Sequence, residues 1–187
     1  LVSLGAEHTV TYGIVKAFKK YYPKLSILQI DAHSDLRPKY EGNKWSHASV
    51  MSRCMELNIH QLTQIGIRAQ SKEESQIIKN SSNIETVYAH EINTNQDWIN
   101  RSINSLGEDV YITIDADGFD PSIMPAVGTA EPNGILWPEA MELFKAVFAN
   151  KNIIGIDVVE CVPRQNDTLT EYNLAKLIYK LIGLKFK

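Results

Sequence analysis

The chain of 187 residues has few cysteines, no long apolar run and no excess of basic residues. Cys54 and Cys161 show no metal-binding or redox spacing, so we expect free thiols and a reducing, cytoplasmic location. No run of about 18 apolar residues and no signal peptide is visible, so the sequence predicts neither a membrane span nor export. A net charge of −3 and a pI near 6.0 give no indication of a nucleic-acid or membrane partner.

The remaining composition is that of a globular protein, with 44% hydrophobic and 22% charged residues. The length fits one domain, residues 1–187, which is large enough to bury a substantial core. The sequence starts with LVSLG rather than with methionine. We therefore expect a fragment or a processed product of a longer chain.

Strand-like and helix-like segments alternate along the chain. Short apolar runs predict six strands, at residues 1–5, 27–31, 62–68, 84–89, 110–121 and 153–162. Apolar residues at helical spacing predict six helices, at residues 8–22, 46–57, 71–80, 95–106, 137–150 and 168–183. This alternation predicts a layered α/β fold with a mainly parallel sheet.

Ionisable residues follow the second predicted strand, where ILQI runs into DAHSD. Asp31, His33 and Asp35 occupy every second position, and alternate side chains of a strand project to the same side. Carboxylates packed together are costly unless a positive charge lies between them, which a metal ion can supply. By itself the pattern also fits a strand end with solvated acids and a capping histidine.

Two further predicted strands lead into groups of the same kind. The first precedes His8 in GAEH, and the fifth runs into Asp115 and Asp117 in DADGFDP, a segment that alone is ordinary turn chemistry. Because ligands bind beyond the carboxyl ends of parallel strands, we expect all these groups to converge. Together they supply four carboxylates and two imidazoles, enough for two divalent cations. Oxygen and nitrogen ligands without thiolates suit Mn²⁺, while Zn²⁺, Co²⁺ and Fe²⁺ stay open.

The motifs GAEH, DAHSD, DADGFDP and DVVECVP, in this order, resemble those of the ureohydrolase family, which comprises arginases, agmatinases and their relatives. The block DADGFDPSIMPAVGTAEP also resembles the family pattern, and the resemblance covers essentially the whole chain. It implies a three-layer α/β/α fold and a binuclear manganese site. Family members carry a longer segment before the first motif, so the resemblance implies an arginase-like sheet without the family's N-terminal edge strands.

The resemblance also implies roles for individual residues. One manganese would be held by His8, Asp31, Asp35 and Asp115, and the other by Asp31, His33, Asp115 and Asp117. His47, in WSHAS, matches the catalytic-loop histidine, and Glu160 matches the acid that pairs with the substrate guanidinium. Asp35 would also relay a proton to the leaving amine. GAEH departs from the family's G-G-D-H, since Glu7 replaces aspartate beside His8.

These residue types suit the hydrolysis of a guanidinium, whose carbon is a poor electrophile. Two cations about 3.5–4 Å apart lower the pKa of a shared water. A carboxylate such as Glu160 can accept two N–H groups of the planar guanidinium, and an imidazole such as His47 can move protons near neutral pH. The expected products are urea and a primary amine.

The loop after DAHSD bears on the substrate. It resembles the R-x-x-Y-E-G-x-x-x-S-H-A pattern of agmatinases, here at Arg37, Tyr40, Glu41, Gly42, Ser46, His47 and Ala48. The resemblance therefore favours agmatine, hydrolysed to putrescine and urea in polyamine biosynthesis, by an enzyme that acts as a homo-oligomer. Arginine, guanidinobutyrate and aminopropylagmatine stay open as substrates. So do a single-zinc, deacetylase-like enzyme and an inactive metal-binding fragment.

Two other acids near the motifs are expected to have supporting roles. Asp120 precedes a proline, so we expect it to shape a turn rather than to bind metal. Asp157 is expected to support Glu160.

Overall fold

The computed structural model describes residues 1–186, in which six parallel strands form one sheet with helices on both faces. The strands are β1 (Val2–Leu4), β2 (Ser26–Ile30), β3 (Gln61–Ile67), β4 (Ile84–Tyr88), β5 (Asp109–Asp115) and β6 (Asn152–Val159). The helices are α1 (Val10–Lys19), α2 (Val50–Met55), α3 (Lys72–Asn80), α4 (Ala89–Ile92), α5 (Trp98–Ser105), α6 (Trp137–Asn150) and α7 (Leu169–Lys185). Short 3₁₀ turns occur at His47–Ser49 and Ala116–Gly118.

Two apolar layers enclose the sheet. Helices α1, α2 and α3 pack on one face, against a core that includes Ile27 and Tyr111, and helices α5, α6 and α7 pack on the other, against Leu28 and Ile112. Neighbouring residues such as Ile27 and Leu28 serve opposite layers because successive side chains of a strand alternate in direction. All five residues of β2 are buried, as expected for a strand covered on both faces. The three-layer α/β/α prediction is confirmed.

The order of strands across the sheet is β1-β6-β5-β2-β3-β4. From β2 the chain adds β3 and β4 toward one edge, whereas β5 and β6 lie on the other side of β2. The connections that follow β2 and β5 therefore lead away from each other and leave a crevice at the carboxyl ends of these strands. Asp31 directly follows β2, and Asp115 ends β5.

Two predicted strand ends are wrong in detail. Strand β5 stops at Asp115, because its carboxylate accepts the N–H of Asp117 and the chain turns into the 3₁₀ segment. Gly118 lets this turn pack closely against Asp31, since a Cβ there would lie 2.7 Å from the main-chain nitrogen of Asp31. Strand β2 stops at Ile30, and Asp35 has a left-handed φ of 52°. Turns, rather than strand alternation, therefore bring the acids together.

The helices within residues 1–186 include none that combines the length and the apolar character required to cross a membrane.

Candidate metal centre

Four predicted ligands form a buried cluster, which we call the first group: His8, Asp31, Asp35 and Asp115. His8 Nδ1 lies 3.3 Å from Asp31 Oδ2, 3.1 Å from Asp35 Oδ2 and 3.2 Å from Asp115 Oδ2. All four side chains are buried, and His8 is 0% exposed. Residues that follow β1 and β2 and that end β5 thus meet at one point.

A second group adjoins the first and consists of Asp31, His33 and Asp117. His33 Nδ1 lies 3.1 Å from Asp117 Oδ2 and 3.6 Å from Asp31 Oδ1. Asp31 belongs to both groups, with one carboxylate oxygen toward each histidine. The structure therefore brings together all six residues predicted as metal ligands. Asp115 Oδ1 accepts the N–H of Asp117, and a bond from Asp115 to a second metal stays a prediction.

The hydrogen bonds behind His8 fix its tautomer. Asp157 accepts the hydroxyl protons of Thr11 (2.9 Å), Tyr111 (2.7 Å) and Thr113 (2.6 Å). Because Thr113 donates its proton to Asp157, its oxygen accepts from His8 Nε2–H at 2.9 Å. In the neutral imidazole, Nδ1 then points a lone pair at three carboxylate oxygens. The expectation that Asp157 supports Glu160 is replaced by a role behind His8.

The electrostatics of the cluster call for added positive charge. Burial and the neighbouring Asp31 charge raise the pKa of Asp35 to about 7, and the same two causes raise the pKa of Asp115 well above its usual value. Burial alone would lower the pKa of His33, but Asp117 and Asp31 raise that pKa to about 11. Without another cation, protons on the histidines therefore offset the carboxylates.

Divalent cations fit these residues well. The buried Nδ1 of His8 has no hydrogen-bond partner within residues 1–186, although three carboxylate oxygens surround it. A cation at this point would satisfy the lone pair and the carboxylates together, and its binding would displace the protons. Carboxylate oxygens and imidazole nitrogens without a thiolate are a donor set that suits Mn²⁺.

A cavity of about 680 Å³ opens onto both groups and contains the two other predicted catalytic residues. Glu160 lines its wall and accepts the main-chain N–H of His8 at 2.7 Å, and burial raises the pKa of this carboxyl. His47 also lines the cavity and is half exposed. Glu7 accepts from both the main-chain N–H and Nδ1 of His47, each at 3.2 Å. The glutamate of GAEH thus holds the loop that carries His47.

Two further polar residues around the cluster were not identified from the sequence. Thr129 donates its hydroxyl to Asp117 Oδ2 at 2.9 Å, and Arg68 donates to the main chain around Asp117. The position of Arg68 directly after β3, at the same edge of the sheet, was the available signal. Asp120 accepts the N–H groups of Ser122 and Gly134, so its predicted turn-shaping role is confirmed.

Comparisons with known proteins identify the family of this chain. Residues 1–183 match the model of the arginase family. The chain is 42% identical over 185 residues to the N(1)-aminopropylagmatine ureohydrolase of Synechocystis sp.. That alignment covers 98% of this chain and 60% of that protein. It is 37% identical over 164 residues to an agmatinase of Halalkalibacterium halodurans, covering 87% of this chain and 55% of that protein.

Solved structures give the same result. The agmatine ureohydrolase of Thermoplasma volcanium superposes with a TM-score of 0.83 at 32% identity, covering 98% of this chain and 61% of that one. An arginase of Bacillus subtilis shares the fold, with a TM-score of 0.87 at 24% identity over 97% of this chain and 69% of that one. The chain spans about three fifths of the length of the curated relatives that it matches over nearly all its residues. This chain belongs to the arginase family.

Proposed function

We propose that residues 1–187 form the catalytic domain of a binuclear manganese amidinohydrolase, which releases urea from a guanidino compound. The observation that carries this proposal is the position of His8 Nδ1, which faces three buried carboxylates on the floor of a cavity that Glu160 also lines. The proposed metal ligands are His8, Asp31, His33, Asp35, Asp115 and Asp117. When bound, the two cations would supply a water that is acidic enough to give hydroxide near neutral pH.

Glu160 is proposed to bind the guanidinium of the substrate. Its carboxylate keeps one bond to the main-chain N–H of His8, so its position is tied to the first group. A planar guanidinium can present two N–H groups to such a carboxylate, which fixes the face that its carbon turns toward the metal centre.

Two residues are proposed to transfer protons during the reaction. When the tetrahedral adduct of the guanidinium carbon collapses, the leaving nitrogen needs a proton. Asp35, whose Oδ2 lies 3.1 Å from His8 Nδ1 on the cavity wall, is placed to relay it. The exposed His47 is placed to exchange protons with solvent, as general acids and bases do.

We further propose that the substrate has a cationic tail, with agmatine preferred. Of the two arginines on the cavity wall, Arg37 lies 3.6 Å from the buried Glu74, and the Arg68 guanidinium donates to main-chain carbonyls. The Glu131 carboxylate lies near the charge of Arg68 but makes no hydrogen bond or ion pair within the described part of the chain, so it can accept one from an amine. The agmatinase-like loop supports the same choice, and the relatives' names keep aminopropylagmatine as the second candidate.

A substrate panel tests this choice. With Mn²⁺ present, urea release should be faster from agmatine or aminopropylagmatine than from arginine or 4-guanidinobutyrate. Glu131→Gln should raise KM for the two amines at least about tenfold, because a hydrogen bond to a charged group is worth about 1.5–3 kcal/mol. It should leave KM for guanidinobutyrate unchanged or lower. A preference for the carboxylate substrates in the wild-type chain would refute the cationic-tail proposal.

His47→Ala should separate proton transfer from metal binding. We expect kcat to fall about a hundredfold, the lower end of the usual contribution of a general acid or base. Mn²⁺ affinity, measured by calorimetric titration, should change less than twofold, since the side chain contacts Glu7 rather than the cluster. His60→Ala, at an exposed position outside the cavity, is the control. Equal losses of kcat and metal affinity would assign His47 a structural role instead.

Two other readings have distinct outcomes. Two manganese ions per chain without urea release from any substrate of the panel would favour an inactive metal-binding fragment. This alternative is retained because the chain spans only 60% of the length of its relative from Synechocystis sp.. One zinc per chain would favour a mononuclear enzyme. The proposal also includes a homo-oligomeric, cytoplasmic protein, and the free thiols of Cys54 and Cys161 agree with a reducing location.

A further inference from the structure

Arg68 makes an unusual set of contacts at the carboxyl end of β3. Its guanidinium donates to six main-chain carbonyl oxygens, at distances between 2.7 and 3.3 Å. The acceptors belong to Gly66, Asp117, Gly118, Phe119, Glu131 and Pro132. No carboxylate lies within ion-pair distance of Arg68 in the described residues. All its hydrogen bonds therefore act to hold the main chain in place.

The Gly66 carbonyl belongs to β3 itself, and the other five lie in two segments that meet beside the second group. The first, which we call the turn, comprises residues 115–120 and includes Asp117. The second, which we call the strap, comprises residues 128–135 and forms part of the cavity wall. The strap also contacts the turn directly, since the main-chain N–H of Ile135 donates to Gly118 and the hydroxyl of Thr129 to Asp117.

The main chain of Arg68 reaches the other half of the second group. The N–H groups of Arg68 and Ala69 both donate to the carbonyl oxygen of Ala32, each at 2.9 Å. Ala32 lies between Asp31 and His33 in the sequence. One residue thus holds the segment of Asp31 and His33 through its backbone and the segment of Asp117 through its side chain.

Arginine is suited to this task for a geometric reason. Its planar fork presents five N–H donors in fixed directions, so it can bridge several carbonyls at once, whereas lysine presents a single ammonium. Its charge also lies near Asp117 and Asp31 and offsets part of their repulsion. Burial lowers the pKa of Arg68, and these carboxylates oppose that shift.

We propose that Arg68 is a positioning residue. Together with the strap, it holds the Asp117 carboxylate at the distance from Asp31 and His33 at which the second group can bind its cation. The inference builds on the proposed function and adds a residue that binds neither metal nor substrate. It predicts that loss of the guanidinium fork weakens one of two metal sites selectively.

Arg68→Lys tests the proposal by Mn²⁺ titration. One site should bind at least about tenfold more weakly, as happens when outer partners of metal ligands are lost, while the other changes less than threefold. The electron paramagnetic resonance spectrum should lose the signal of a coupled pair at limiting Mn²⁺ and regain it, with kcat, at excess Mn²⁺. Arg101→Lys makes the same change at an arginine of α5 that pairs with Glu85 and Glu91, and both metals should bind normally.

Three results would overturn the proposal. Two unchanged metal affinities in Arg68→Lys would show that Arg68 has no role in metal binding, and equal weakening of both sites would indicate a general structural role. If Arg68→Lys does not fold, Thr129→Val decides, because it removes only the bond between the strap and Asp117. Unchanged affinity of both sites in that variant would also contradict the proposal. Failure of the wild-type chain to bind two ions would instead refute the proposed function.

Discussion

Replacement of Asp117 by asparagine is expected to remove one of two bound manganese ions and to lower urea release at least about a hundredfold, since even outer partners of metal ligands cost 10–100-fold. The new side chain has the same shape. Its oxygen can still accept the N–H of Ala32, and its amide can donate to the hydroxyl of Thr129. The first group, with His8, stays intact. The loss of metal and activity would therefore result from the missing negative charge and not from a collapsed turn.

Metal content and turnover measured on the same preparation give the answer. Asp109→Asn, at the amino end of β5, is the matched control and should keep both ions and full activity. Two ions and normal turnover in Asp117→Asn would refute the second metal site. One ion in both the wild-type chain and the variant, with equal rates, would point to a mononuclear enzyme.

Glu160→Gln is expected to leave both metals bound and to lower kcat/KM for agmatine about 30-fold or more. The amide oxygen can continue to accept the main-chain N–H of His8, so the first group should keep its position. The guanidinium would lose its charged partner, and disruption of a buried ionic hydrogen-bonded pair costs about 2–5 kcal/mol. This variant tests the charge more specifically than alanine does, because glutamine keeps the side-chain volume and the bond to His8.

Steady-state kinetics beside a Mn²⁺ titration check this prediction. Glu131→Gln applies the same isosteric change on the cavity wall and should alter KM for the amine substrates with little effect on kcat. A normal kcat/KM in Glu160→Gln would reject the guanidinium-binding role. Loss of a metal in that variant would mean that Glu160 acts mainly by holding the segment of His8.

The fold was largely predictable because its strands are buried on both faces. Three of the five residues of Ser26–Ile30 are apolar, as suits a strand between two helical layers, and the helices show apolar residues at helical spacing. The ends of elements were less predictable. The short helix Ala89–Ile92 and the stop of β5 at Asp115 depend on side-chain bonds to the backbone, which leave little trace in apolar periodicity.

The set of candidate metal ligands was predictable as residue types and not as geometry. Acids and histidines that follow buried strands stand out in a sequence, because burial selects against them elsewhere. The reason for their convergence was different from strand alternation. Asp35 reaches the cluster through a left-handed backbone, and Gly118 lets the turn lie against Asp31.

The sequence by itself determined the layered α/β class and the six ionisable residues that meet at the crevice. The reason is that the pattern of apolar and polar residues along the chain indicates which segments are buried and where each strand ends. Only the tertiary structure decided which groups support them: Asp157 behind His8, Glu7 beneath His47, and Arg68 across the turn and the strap. These contacts join residues far apart in the chain, and a hydrogen bond depends on distances and directions that are fixed only when the whole sheet is assembled.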